Sequence, residues 1–177
     1  MIELLLPFSV LLLLFLALTI IWRINARKYI SSGTVASAYD AWTQDKLLER
    51  LWGEHIHLGF YPSENKSIDF RKAKVQFVHE LVKWSGLHKL PKGSRILDVG
   101  CGIGGSSRIL AKFYGFNVTG ITISPAQVKR ARELTPEELN CNFQVMDALD
   151  LKFEDGSFDG VWSVEAGAHM NDKNKFA

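Results

Sequence analysis

The chain has 177 residues, 47% of them hydrophobic and 11% aromatic, which is enough apolar material for one packed domain and excludes a disordered polymer. With 21 basic and 19 acidic residues, the net charge of +2 offers no broad footprint for a nucleic-acid backbone, so nucleic acid is not an expected partner. Cys101 and Cys141 stand far apart with no C-x-x-C pair, which argues against a disulfide framework and a zinc site and for a reducing compartment.

In chain order, residues 4–22 come first. They carry no charge, are rich in Leu, Ile, Val and Phe, and just reach the length needed to cross a bilayer as a helix. Glu3 before the run and bulky Ile20, Ile21 and Trp22 at its end do not fit a cleaved signal peptide. Residues 1–30 are therefore expected to be an uncleaved membrane anchor, and Arg23, Arg27 and Lys28 place the following part on the cytoplasmic side. Ser31, Ser32 and Gly33 form a short polar break before a helical, lid-like region over 31–90. Within it, apolar residues recur at helical spacing over 68–84, and Gly86 is placed to end that helix.

The remainder, 91–177, alternates strands and helices. Arg95-Ile-Leu-Asp-Val99 reads as a strand, and it leads into the glycine cluster of residues 100–105, inside which a helix should begin. Residues 116–123 read as a second strand. Ser124, Pro125 and Gln127 then form a capping box that opens a helix to about Thr135. Residues 143–146 are expected to be a third strand, Asp155-Gly156 a turn, and 158–164 a fourth strand. The pattern predicts an α/β, doubly wound, mainly parallel Rossmann-like sheet, incomplete at the C-terminus.

The central motif is Asp98-Val-Gly100-Cys-Gly102-Ile-Gly104-Gly105, at the carboxyl end of the first strand, where such sheets bind ligands. The glycines alone also satisfy a dinucleotide fingerprint, so an NAD-dependent oxidoreductase stands as a competing reading. Two neighbours separate the cofactors. Asp98 would repel a pyrophosphate but suits a cation such as S-adenosylmethionine, and the end of the second strand reads Thr122-Ile-Ser124 where a dinucleotide enzyme needs an acid for the ribose. Ribose recognition is accordingly assigned to Thr122 or Ser124. Cys101 is a small residue that fits the loop, not a nucleophile.

Residues 98–105, 120–127 and 158–170, together with Trp52-Gly-Glu-His55-Ile-His57-Leu-Gly59-Phe-Tyr61, resemble the class I S-adenosylmethionine-dependent methyltransferases, within them the tocopherol and plastoquinone branch. The resemblance implies S-adenosylmethionine held by Asp98, Gly100, Cys101, Gly102, Gly104, Gly105, Thr122, Ser124 and Gln127. It further implies that Asp147 accepts the adenine amino group with Ala148 beside it, that Tyr39 sits on a lid, and that His55 and His57 line the cofactor mouth without a metal. The implied activity is C-methylation of a prenylated benzoquinol at a membrane, with another lipid methyltransferase or a non-catalytic tethered binding module as alternatives. Such chemistry needs a general base, for which Glu165 and His169, four residues apart, are the candidates if a helical turn places them on one face. That family continues through further strands and a substrate cap, so a chain stopping at Ala177 is expected to bind cofactor weakly without turnover.

Overall fold

A computed structural model describes residues 8–25, 32–62 and 68–176. The chain forms two compact units, Met1–Ile30 and Ser31–Ala177. The first holds α1, Phe8–Asn25, in which Leu and Ile propagate a helix that runs past Trp22 and takes in Arg23. Among the described residues, no helix is long and apolar enough to cross a membrane. α1 has 18 residues, about 27 Å at 1.5 Å per residue, against a hydrocarbon core of about 30 Å. Residues 4–7 of the expected span lie outside the described residues.

The second unit opens with α2 (Ser32–Gln44) and α3 (Leu47–Trp52). Ser32 and Gly33 thus begin a helix, where the sequence suggests a polar break. Residues 53–61 run without regular structure to α4 (Phe70–Trp84), whose Asp69 cap accepts from the Arg71 and Lys72 amides, satisfying donors that no helix turn can reach. Gly86, at φ 77, supplies the left-handed residue just beyond Ser85.

Four strands follow: β1 (Arg95–Val99), β2 (Asn117–Thr122), β3 (Cys141–Val145) and β4 (Gly160–Trp162), with α5 (Gly105–Tyr114) and α6 (Pro125–Leu134) between the first three. All pairings are parallel and the order is β3-β2-β1-β4. β1 is buried on both faces because it lies between β2 and β4 and is covered above and below. Val78 and Val82 of α4 and Ile109, Leu110 and Ala111 of α5 pack with Ile96, Val118 and Trp162 on one face. Leu97, Val99 and Ile121 point to the other, where Met146, Ala148, Phe153, Phe158 and Phe176 cover them. That second cover is loop together with the short α7 (Lys173–Phe176), where a doubly wound sheet has long helices. β4 is also shorter than the expected 158–164, and as the edge strand it leaves Val161 65% exposed.

Because β2 and β4 leave β1 on opposite sides, the carboxyl end of β1 is a topological switch point, where a crevice opens. The site residues gather there.

Candidate active site

At the end of β1 the chain turns through Gly100 (φ 76) and Gly102 (φ 57), a backbone path that side chains disfavour. The Gly100 and Cys101 amides both donate to the Ile121 carbonyl, at 2.9 and 3.0 Å, which fixes the loop to β2. Around it the protein uses the space that glycine leaves: a Cβ on Gly100 would lie 2.4 Å from Ala166 Cβ, and one on Gly105 would lie 2.8 Å from the His55 ring. Gly102 differs, since a Cβ there meets nothing within 4 Å. That is the point of the loop that a ligand can approach. Cys101 is buried against Gly120, and burial pushes its thiol well up, so it stays protonated.

Asp98 is only 2% exposed, and its Oδ2 accepts a 2.6 Å hydrogen bond from Ser107 Oγ at the start of α5. Burial pushes its pKa up to about 6, while the Ser107 bond opposes the shift. Among the described residues no ion pair neutralises this carboxylate, so it is an acid that a nearby cationic ligand would stabilise. It lies deeper than an acid reaching into an open crevice.

At the end of β2 the expected ribose ligands bond to one another. Thr122 Oγ1 donates to Gln127 Oε1 at 2.7 Å, and the Ser124 amide donates back to Thr122 Oγ1 at 3.3 Å. Ser124 Oγ accepts from the Gln127 amide at 3.1 Å and donates to Asp40 Oδ1 at 2.5 Å. Gln127 therefore completes only half of the expected capping box, its side chain serving Thr122. Ser124 is fully buried, and both hydroxyl protons are already used, so Thr122 and Ser124, expected to recognise ribose, have no hydroxyl proton left to donate to it. Asp40, which sequence reasoning passed over, adds a 3.0 Å bond from the Ala126 amide. Its only signal was its place beside Tyr39. After β3, Asp147 Oδ1 accepts from the Leu149 amide at 2.9 Å in a local turn, and Ala148 packs under Leu97 and Val99.

After β4 the two base candidates part. Ala166–His169 is a 3-10 turn, not an α-helical one, and at three residues per turn positions four apart do not share a face. Glu165 caps it in the left-handed region, at φ 57, and its Oε1 accepts the Leu58 amide at 3.0 Å. Such strain in a non-glycine residue persists only where surroundings enforce it. His169 Nε2 instead lies 2.9 Å from Tyr39 Oη, with the rings edge to face. Burial raises the Tyr39 pKa.

His55 and His57, expected to line the cofactor mouth, are both buried, with His55 Nδ1 3.1 Å from His57 Nε2 and His57 Nδ1 2.7 Å from the Leu58 carbonyl. Burial lowers both, His55 to about 3, so the pair is neutral and packs as an apolar wedge on the Gly105 end of α5. Lys74 Nζ holds the same segment by donating to the carbonyls of Trp52 (3.2 Å) and His55 (2.8 Å). Glu54 pairs with Arg108 at 2.7 Å, and Glu49 grips Arg130 through two bonds of 2.6 and 2.8 Å. A cavity of about 550 Å³ lies between this segment and α5, lined by Trp52, His55, Lys74, Gly105, Arg108 and Phe113 among others. Among the described residues no group of three His, Cys, Asp or Glu is placed to hold a metal.

Comparison with known proteins agrees with this geometry. Residues 96–177 match the methyltransferase domain family. A 2-methyl-6-phytyl-1,4-hydroquinone methyltransferase from Synechocystis is 61% identical over 157 residues, covering 89% of this chain and 49% of its own length. The chloroplastic tocopherol O-methyltransferase of Arabidopsis thaliana is 44% identical over 140 residues, covering 73% of this chain and 40% of its own length. The chain thus spans about half the length of the curated relatives it matches, or less. Among solved structures, the cyclase SpnF superposes with a TM-score of 0.72 at 26% identity, covering 83% of this chain and 54% of that one. A Galdieria sulphuraria protein described as a putative sarcosine dimethylglycine methyltransferase gives 0.62 at 28% identity, covering 71% and 48%. With its parallel sheet, its glycine loop at the switch point and these relatives, the chain belongs to the S-adenosylmethionine-dependent methyltransferases.

Proposed function

We propose that this chain forms the cofactor-binding part of an enzyme that methylates a ring carbon of a prenylated benzoquinol in tocopherol or plastoquinone synthesis. The observation that carries the reading is the 61% identity to a 2-methyl-6-phytyl-1,4-hydroquinone methyltransferase over 157 residues, 89% of this chain. The site fits S-adenosylmethionine in two respects: Gly102 leaves open space for close approach, and Asp98 is a buried carboxylate without an ionic partner among the described residues. Bound there, S-adenosylmethionine supplies an electrophilic methyl group carried on a sulfonium.

The chain's own residues supply orientation and a base. Gly100 and Gly102 shape the loop, with Asp98 behind it and Asp147 and Ala148 beyond β3. His169 Nδ1, the ring nitrogen that the Tyr39 bond leaves available, accepts the quinol's phenolic proton, which raises electron density on the ring carbon that is methylated. Tyr39 Oη, 2.9 Å from His169 Nε2, accepts the Nε2 proton in a hydrogen bond that holds the ring in place. Glu165 does not share this work. It holds Leu58, and so the cover, against the site.

Residues 4–22 are proposed to anchor the protein in a membrane, with the second unit on the cytoplasmic side. The apolar residues of this run lie on all sides of a helix instead of one stripe, and a prenylated substrate dissolves in lipid. A tocopherol-type O-methylation is the second reading, favoured by the 44% identity to a tocopherol O-methyltransferase. Incubating the whole enzyme, of which this chain is proposed as the cofactor-binding part, with methyl-labelled cofactor and 2-methyl-6-phytylbenzoquinol, then locating the label by mass spectrometry, tests both. Label on a ring carbon supports the first reading, label on oxygen the second, and no transfer to either quinol or tocopherol contradicts both.

A further inference from the structure

The end of β2 lacks the acid that nucleotide-binding sheets place there for ribose hydroxyls, since it reads Thr122-Ile-Ser124. The fold nevertheless puts a carboxylate at that spot. Asp40 reaches it from α2, a helix 84 residues earlier in the chain, with Oδ1 accepting from Ser124 Oγ at 2.5 Å and from the Ala126 amide at 3.0 Å. These two donors fix the carboxylate's position, and the Ala126 amide is one of the unpaired donors at the start of α6. Among the described residues Asp40 Oδ2 has no hydrogen-bond partner, and the side chain is only half buried. Thr122 and Ser124, the residues next to it, have no hydroxyl proton left to offer.

We propose that Asp40 supplies from α2 the ribose-binding carboxylate that β2 lacks, so that Oδ2 accepts hydrogen bonds from the cofactor's ribose hydroxyls. The inference rests on the cofactor reading above and adds a consequence to it. Asp40 adjoins Tyr39, which meets His169 on the β4 side, while Asp40 meets the β2 side; consecutive residues of α2 thus touch both flanks of β1. A bound ribose secures α2, and with it the Tyr39–His169 contact.

Calorimetric titration with S-adenosylhomocysteine and with its 2′,3′-dideoxyribose counterpart, using the protein and its Asp40→Asn and Asp40→Ala variants, tests the assignment. Asp40→Asn keeps an oxygen for Ser124 and Ala126 and so keeps α2 in place. A hydrogen bond to a charged group implies that both variants lose roughly tenfold or more in affinity for S-adenosylhomocysteine. The expected result is that neither variant changes affinity for the dideoxy compound by more than about twofold, with thermal melting confirming that Asp40→Asn is folded. Equal losses on both ligands would show that Asp40 acts only by placing the lid, and no loss on either would show that it does not meet the ribose; both overturn the assignment alone. Failure of the unsubstituted protein to bind either ligand would overturn the cofactor reading together with it.

Discussion

The strand-and-loop region of residues 95–146 and the cover of residues 32–61 form one site by opposite means. In the first, neighbours in sequence make the chemistry: β1 delivers Asp98, the next residues turn through Gly100 and Gly102, and α5 returns Ser107 to the Asp98 carboxylate. In the second, isolated polar residues are pinned to distant partners. Asp40 meets Ser124, Tyr39 meets His169, Glu49 meets Arg130 and Glu54 meets Arg108. The comparison teaches that, in the proposed reading, the loop creates a place for the cofactor, whereas the cover carries the groups that complete it.

The sharpest way to break this division is Gly102→Val. A β-branched side chain must then occupy the one loop position that faces open space, at φ 57, where such residues are strained. Affinity for S-adenosylmethionine is expected to fall by about a hundredfold or more in calorimetry, with the far-ultraviolet spectrum unchanged. Unchanged affinity would remove the loop from the site.

Gly105→Ala tests the junction between the two regions. Its Cβ would lie 2.8 Å from both the Glu54 carbonyl and the His55 ring, in a wedge that cannot easily retreat because Lys74 holds the His55 carbonyl. Overpacking of this kind costs about 1–3 kcal/mol, and urea unfolding should show it as a lower midpoint at constant slope.

The pH dependence of Asp98 gives a smaller effect of defined sign. The carboxyl's ordinary value is 3.8 and the folded one about 6, so between these the folded chain holds a proton that the unfolded chain has shed. Ligand-free stability should therefore fall as pH rises from about 4 to 6, and Asp98→Asn should abolish that slope. Affinity for the cationic cofactor should run the other way and weaken as pH drops below about 6. A flat profile for both would place Asp98 outside cofactor binding.

Legibility in the sequence follows the same division. The 95–99 strand, the helix starting within the glycine cluster, and the Ser124 cap were all readable, because a short apolar run bounded by turn residues, a run of glycines and a cap residue are local signals. The fourth strand was read too long. Its apolar residues suit a strand buried on both faces, whereas pairing on one side extends only over Gly160–Trp162. Pairing Glu165 with His169 failed because spacing alone does not distinguish an α-turn from the 3-10 turn that forms. Asp40, Lys74 and Arg108 escaped notice because their partners lie many residues away, and a single sequence records no such pairings. The same holds for His55 and His57, whose burial as a neutral pair depends on α4 and α5 closing over them.

The central claim, that the loop binds and the cover completes, is tested most directly by measuring cofactor affinity and methyl transfer side by side in Tyr39→Phe and His169→Gln variants of the whole enzyme. Removing a positioned proton acceptor lowers turnover by about a hundredfold or more. The account predicts such a loss in His169→Gln and a smaller one in Tyr39→Phe, with cofactor affinity within about threefold of the unsubstituted protein in both. Full turnover in His169→Gln, or parallel losses of affinity and turnover in the two variants, would contradict it.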